Sequence, residues 1–138
     1  MKRFPLITLV FLAFACRQPA SVEQFIAAPG PYAFVLDLSD STAVWDISLF
    51  SRVDALDAPA ELALDITWTA PSEAVFTETV YLPLQAGTSF FSHEACVPYR
   101  SGVVPSERGV WTLTVTALDP PDGLRGMGLV VERVNVTY

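Results

Sequence analysis

The side chains with the most reactive chemistry in this 138-residue chain are two cysteines, Cys16 and Cys96, and a single histidine, His93. His93 and Cys96 lie three residues apart. On a β-strand this spacing points them to opposite faces, so they could form a metal ligand pair or a cysteine–histidine nucleophile only in a loop. Structural zinc takes about four ligands, and the sequence has no second cluster of this kind. The sequence therefore predicts no metal, no cofactor and no catalytic residue. It favours a small buried side chain as the role of Cys96, with an intermolecular disulfide or a reactive thiol as alternatives.

Cys16 follows a segment with the features of an export signal. Lys2 and Arg3 are positively charged, residues 4–15 form an apolar run, and Ala15 is a small residue directly before Cys16. The run is shorter than the roughly 20 residues that a transmembrane helix needs. A cysteine directly after Leu-Ala-Phe-Ala resembles a bacterial lipobox, in which the thiol receives a diacylglycerol before the signal is cleaved. We expect a signal peptide over residues 1–15 and a membrane anchor on Cys16. A plain signal peptide with a chance cysteine is the alternative.

The charge of the chain is strongly acidic once the leader is set aside. Lys2 is the only lysine, and from residue 16 onward six arginines face fifteen acids, a net of −9. Such a surface repels phosphate, so the sequence predicts no nucleic-acid partner, and anionic lipid headgroups are poor candidates. The length allows one domain, and the hydrophobic fraction of 51% is sufficient for a core. With Cys16 lipidated, Cys96 has no second cysteine for an internal disulfide.

Period-two alternation of apolar and polar residues dominates the chain beyond residue 31. Residues 16–31 contain three prolines and predict a tether after the lipidated cysteine. Strands are expected at residues 32–38, 45–53, 62–69, 75–84, 111–117 and 126–136, separated by turns rich in Asp, Ser, Pro and Gly. The sequence therefore predicts an all-β domain over residues 32–138. We expect a single antiparallel β-sandwich of about seven to eight strands, Ig-like or jelly-roll-like.

The order of these segments is similar to that of a known family. The segments are the lipoprotein-like leader and residues 34–40, 45–52, 62–68, 78–84, 109–115 and 124–133. Together they resemble the gliding-motility lipoprotein GldH family of the Bacteroidetes, with a departure at Pro120-Pro121, where the family has a polar link. The resemblance implies an outer-membrane lipoprotein associated with gliding and protein-secretion machinery. It carries over no catalytic residue.

The aromatic residues divide into two groups. Trp45, Trp68 and Trp111 are each in phase with the aliphatic face of their own strand, which predicts core packing. Phe50 breaks the polar face of its strand, and residues 89–92 lie in the most irregular stretch. We therefore expect Phe50, Phe90, Phe91 and Tyr99 to be more exposed. Phe90, Phe91 and Tyr99 are the candidates for contact with a partner, although Phe90 and Phe91 could instead fold under the domain as a plug.

Ser41 is a candidate for modification. Asp40-Ser41-Thr42 resembles the motif for O-glycosylation of exported Bacteroidetes proteins and lies in an expected exposed turn. An ordinary turn capped by the aspartate is the alternative.

Two classes of function follow from these observations. The first is a non-enzymatic interaction module that is lipid-anchored to the bacterial outer membrane, faces the periplasm and has other envelope proteins as partners. The second is a surface-exposed glycan-binding lipoprotein. Residues 17–20 are not acidic, which disfavours export to the cell surface. An enzyme is a distant third class.

Overall fold

The computed structural model describes residues 20–54, 59–84 and 93–135. The strands within these ranges are β1 (Ser21–Ala27), β2 (Tyr32–Asp37), β3 (Ala43–Val53), β4 (Glu61–Thr69), β5 (Val75–Pro83), β6 (His93–Val103), β7 (Val110–Ala117) and β8 (Leu124–Asn135). The prediction of a single all-β antiparallel sandwich of seven to eight strands is confirmed.

The strands form two four-stranded sheets, with orders β1-β8-β3-β6 and β2-β7-β4-β5. The first strand pairs with the last, β2 with β7, β3 with β6, and β4 with β5, each time antiparallel. The first half of the chain, β1 to β4, therefore pairs in reverse order with the second half, β5 to β8. The pairs β1–β8 and β3–β6 lie in one sheet, and the pairs β2–β7 and β4–β5 lie in the other. This connectivity is that of a jelly roll, and it excludes the Ig-like alternative.

The core lies between the two sheets and is made by the inward positions of the alternating strands. Leu62, Leu64, Ile66 and Trp68 of β4 are buried, while the residues between them are only partly covered. The same alternation buries Ile47 and Leu49 of β3. A fully buried side chain of this size contributes about 1.5–3 kcal/mol by leaving water, so this packing is the main source of stability for the described residues, whose one cysteine, Cys96, is free.

The first strand corrects the predicted tether. Ser21–Ala27 pairs with β8 along its whole length, from Ser21 opposite Glu132 to Ala27 opposite Gly126. The side-chain amide of Gln24 also donates to the backbone oxygen of Val35 at 2.7 Å, which joins the edges of the two sheets. The prediction of a tether over residues 16–31 is therefore wrong for these seven residues, because the sandwich already includes Ser21–Ala27 and does not start at residue 32. The prolines on both sides of β1 discourage a helix but leave room for an edge strand.

Within the described residues, no helix has the length and the apolar character required to cross a membrane.

Candidate functional site

A cleft of about 380 Å³ opens at one end of the sandwich. It lies where β4 ends and β5 and β7 begin, and the loop after β6 forms one of its sides. Its walls include Trp68, Phe76, Arg100 and Trp111. Trp68 and Phe76 are direct cross-strand partners on β4 and β5, so both point toward the interior of the sandwich, where the cleft enters it.

The aromatic side chains of the cleft are packed against one another in fixed geometry. The rings of Trp68 and Trp111 lie edge to face, with centroids 6.0 Å apart and an angle of 82°. The other side of Trp68 stacks on Tyr99 at 6.2 Å and 17°. Aromatic pairs of this kind contribute about 0.5–1.5 kcal/mol beyond their burial, so the indole rings form a stable wall.

Both indole N–H groups of this wall have partners. Trp68 Nε1 donates to the hydroxyl oxygen of Tyr99 at 3.0 Å, and Trp111 Nε1 donates to the backbone oxygen of Glu107 at 2.9 Å. A buried indole that leaves its N–H without an acceptor loses stability, so these bonds explain why the orientation of each ring is fixed.

A charged pair continues this network at the rim of the cleft. The Tyr99 hydroxyl donates to the carboxylate of Glu78. Arg100 Nη2 donates to both carboxylate oxygens of Glu78 at 2.6 Å, and the guanidinium lies 5.2 Å from the centre of the Tyr99 ring. Trp68, Tyr99, Glu78 and Arg100 therefore form one continuous chain of contacts from the core to the solvent.

The network sets the protonation of its members. Burial is the largest influence on Glu78 and by itself would raise its pKa. The hydrogen bonds from Tyr99 and Arg100, with the charge of Arg100, outweigh it and lower the pKa of Glu78. Burial, followed by the hydrogen bond to Glu78, raises the pKa of Tyr99. At neutral pH this network therefore consists of a carboxylate, a guanidinium and a neutral phenol beside the aromatic walls, and its guanidinium lines the cleft.

The expected roles of the tryptophans are confirmed for Trp45 and Trp68, which are buried in the core. Trp111 packs against the same core but remains partly exposed where it lines the cleft. Tyr99 is half-buried and bonded inside the network, so the expectation of an exposed ring is corrected, and a partner would meet only its solvent side.

Phe50 is not exposed either. It lies on the outer face of its sheet, as its sequence phase predicts, but it is only 2% exposed. Phe25 of β1 stacks on it at 6.1 Å, and Gly128 opposite leaves space for the ring. The sequence prediction is wrong here because the covering ring and the glycine come from strands far away in the chain.

The prediction that Cys96 is a small buried side chain is also wrong. Cys96 is a free, exposed cysteine on β6, opposite Phe50 of β3. His93 lies on the same strand, so these two residues are part of regular β structure and not of a loop. Among the residues that the structure describes, no group of three or more His, Cys, Asp or Glu side chains is placed to hold a metal ion.

Ser41 lies in an exposed turn directly before β3. Asp40 Oδ1 accepts hydrogen bonds from the backbone N–H of Thr42 at 2.9 Å and from its hydroxyl at 2.7 Å. These bonds lower the pKa of Asp40, the backbone bond most of all. The structure thus shows an aspartate-capped turn, and Ser41 within it is accessible to solvent. Modification of Ser41 stays a prediction.

Three of the expected functional residues, Cys16, Phe90 and Phe91, lie outside the described residues. In contrast, the structure identifies Phe76, Glu78 and Arg100, which sequence reasoning did not single out. A signal for Glu78 was present, because it shares the apolar phase of Phe76, Val80 and Leu82 on β5, where a single acid needs a partner.

A search against protein-family models and against curated proteins finds no match to the chain.

Proposed function

We propose that this chain is a lipid-anchored lipoprotein of the bacterial outer membrane that acts as a non-enzymatic interaction module and faces the periplasm. By resemblance to the GldH family, its partners are other envelope proteins of the gliding and secretion machinery. The observation that carries the proposal is the sequence of residues 1–16, which has the features of an export leader that ends before Cys16, with the first strand of the sandwich starting five residues later at Ser21.

The short link between Cys16 and β1 supports a tethering mechanism. Four residues, 17–20, separate Cys16 from the first strand. At roughly 3.4 Å per residue, the five steps from Cys16 to Ser21 span no more than about 17 Å. A lipid on Cys16 would hold the sandwich against the bilayer, and this confinement raises its effective concentration toward other membrane-bound partners.

Metabolic labelling with a palmitate analogue tests the anchor. Wild-type protein is expected to carry the label and to sediment with the membranes, and Cys16→Ser is expected to lose both properties. Cys96→Ser is the matched control, because it removes the other cysteine of the chain, and it should behave as wild type. Membrane-bound, labelled Cys16→Ser protein would contradict the proposal.

Two further measurements test the orientation and the partner. Protease treatment of intact cells is expected to leave the protein uncut, whereas it is degraded once the outer membrane is opened. Digestion in intact cells would favour the surface-exposed alternative.

Chemical crosslinking in membranes, followed by mass spectrometry, is expected to recover envelope proteins with wild type and to lose them with Cys16→Ser. Equal recovery with both would contradict tethering.

We also propose that Ser41 is an O-glycosylation site, supported by its exposure and by the Asp-Ser-Thr segment. The intact mass of protein from its native host is expected to exceed the mass of the lipidated chain by a glycan, and Ser41→Ala is expected to remove this excess. If wild type and Ser41→Ala differ in mass only by the oxygen of the serine side chain, the modification is refuted.

A further inference from the structure

We propose that the cleft lined by Trp68, Phe76, Arg100 and Trp111 is a binding site for an uncharged carbohydrate. This inference goes beyond the proposed anchoring role, because the cleft is formed by β4 to β7 and does not depend on the lipid.

The apolar half of the site is an aromatic wall that remains open to solvent. Phe76 is 57% exposed although it lies on the inward phase of β5, opposite the buried Trp68. Val104 in the loop after β6 is similarly exposed and lines the same cleft. Flat apolar rings of this kind match the C–H faces of a pyranose ring, which water solvates poorly.

The polar half of the site supplies hydrogen-bond donors for hydroxyl groups. Both hydrogen bonds from Arg100 to Glu78 come from Nη2, so Nη1 and Nε take no part in this pair. The Arg100 side chain is 46% exposed and borders the cleft. The N–H groups on Nη1 and Nε of Arg100 can donate to the hydroxyl oxygens of a sugar, which gives the site directionality.

The charge of the molecule favours a neutral ligand over an acidic one. The chain from residue 16 onward carries a net −9, and the positive charge of Arg100 is already compensated by Glu78. An acidic polysaccharide would meet repulsion from this net charge, and among the described residues that line the cleft the one cation, Arg100, is paired with Glu78. A neutral sugar does not meet this repulsion.

The geometry of the site is fixed before a ligand binds. Tyr99 orients Trp68, and Glu78 and Arg100 orient Tyr99, through bonds that already exist in the free protein. Binding therefore immobilises few additional side chains, which reduces its entropic cost. The volume of about 380 Å³ lies in the range of small-molecule sites, roughly 300–1,000 Å³, and suits one or two sugar rings.

Calorimetry and tryptophan fluorescence with the full-length chain test the proposal. The protein is kept in a detergent without a sugar headgroup, so that the detergent does not compete. The probes are the hexasaccharides of maltose, cellulose, laminarin, xylan and chitin, with a sulfated heparin hexasaccharide as the acidic comparison. At least one neutral probe is expected to bind with a Kd of about 10 μM to 1 mM and to change the tryptophan emission. If the Kd of every neutral hexasaccharide is above about 1 mM, the proposal is overturned.

Two substitutions on the same strand locate the binding. Phe76→Ala is expected to weaken the bound hexasaccharide about tenfold, because it removes the exposed ring of the cleft. Tyr81→Ala is the matched control, since Tyr81 is another exposed aromatic of β5, 63% exposed, but lies on the opposite face. It should change the affinity less than about twofold. Equal effects of the two substitutions, or binding of only the heparin probe, would overturn the site.

A third variant separates the polar contribution from folding. Arg100→Gln is expected to weaken the neutral probe several-fold while thermal unfolding stays cooperative. If Arg100→Gln leaves the affinity unchanged, the polar half of the proposal fails. Labelling of Cys16 is unaffected by these variants, so failure of the cleft and failure of the anchor are distinguishable.

Discussion

Gly128 explains how Phe50 can be buried on the outer face of its sheet. Gly128 of β8 is the register partner of both Phe25 on β1 and Phe50 on β3, so the two rings flank it and stack over it. A Cβ at this position would lie 1.9 Å from Cζ of Phe50. Arg52 covers the outer side of the same cluster, 4.7 Å from the centre of the Phe25 ring. The glycine is therefore required by packing and not by a turn.

Substitution of this glycine is expected to destabilise the domain. Gly128→Ala should lower the free energy of unfolding by about 1–3 kcal/mol, because the methyl group displaces the Phe50 ring from its position. Urea unfolding measures the change. The double variant Gly128→Ala, Phe50→Ala is the control, since removal of the ring removes the clash. Its loss should be clearly smaller than the sum of the two single losses. Additive losses would contradict this packing.

The charged pair of the cleft is expected to make stability depend on pH. The pKa of Glu78 is lowered from its ordinary value of 4.5 in the folded state. A lowered folded pKa gives stability that is present above the unfolded pKa and is lost as the pH falls through the folded one. At pH 7, Glu78→Gln should therefore cost about 1–2 kcal/mol, a modest value because Arg100 is partly exposed.

Denaturant unfolding between pH 7 and pH 3 measures this dependence. The difference between wild type and Glu78→Gln should be constant above about pH 5 and should shrink below pH 4.5. Glu61→Gln makes the same charge change at the exposed first residue of β4 and serves as the control. A difference that grows toward acid pH would contradict the role assigned to Glu78.

At the scale of residues, the sequence predicts that the tryptophans of the cleft pack on the core, but it predicts neither the cleft nor the charged pair at its rim. The phases of Trp68 and Trp111 within their own strands place both rings toward the core, where they are found. Arg100 and Glu78 come together from two strands that are not hydrogen-bonded to each other. No local pattern relates residues whose contact depends on how the two sheets face each other.

At the scale of elements, the two strands that the sequence did not predict are both edges of one sheet. β1 and β6 flank the order β1-β8-β3-β6, so each has a neighbour on one side only. The burial of β1 does not alternate fully, and β6 contains Pro98 and Gly102. Proline and glycine in a strand are characteristic of edges, where a missing N–H is tolerated. The alternation of apolar and polar residues is thus weaker in β1 and β6 because both are edge strands.

The central strands of the other sheet show the opposite behaviour. β7 alternates apolar residues with threonines, and the outer face of β4 carries Asp65 and two threonines. The threonines meet across the strands, with Thr67 opposite both Thr114 and Thr77. Thr67 and Thr77 share a hydrogen bond at 3.2 Å, and Thr79 donates to Asp65 at 2.7 Å. A half-buried strand between two neighbours must alternate in this way, which is why the sequence predicts these strands correctly.

Hydrogen exchange is expected to confirm β1 as a strand. Amides of residues 21–27 that bond to β8 should exchange about tenfold or more slowly than an unstructured peptide of the same sequence. They should still exchange faster than the amides of β3, which has a neighbour on both sides. Mass spectrometry of peptides that cover both segments measures the two rates. Exchange of residues 21–27 at the unstructured rate would restore the tether that the sequence predicted.

At the scale of the whole molecule, the sequence predicts the class of fold but not its connectivity. The period-two pattern and the absence of helical periodicity predict a two-layer antiparallel sandwich. Whether the chain is Ig-like or a jelly roll depends on which distant strands pair, and β1 with β8 is the most distant pair of all. Pairing over such distances leaves no signal in a local window, so both alternatives remain open until the structure is known.

The charge of the whole molecule predicts how the proposed membrane attachment responds to salt. A surface with a net −9 from residue 16 onward gives no attraction to anionic headgroups, so the proposed function requires acyl chains on Cys16 for attachment to a bilayer. Screening of charges at about 1 M salt should therefore not release wild-type protein from isolated membranes, whereas detergent should. Cys16→Ser should appear in the soluble fraction at low and at high salt. Release of wild type by salt alone would show that the protein is held through a charged partner and would contradict the lipid anchor.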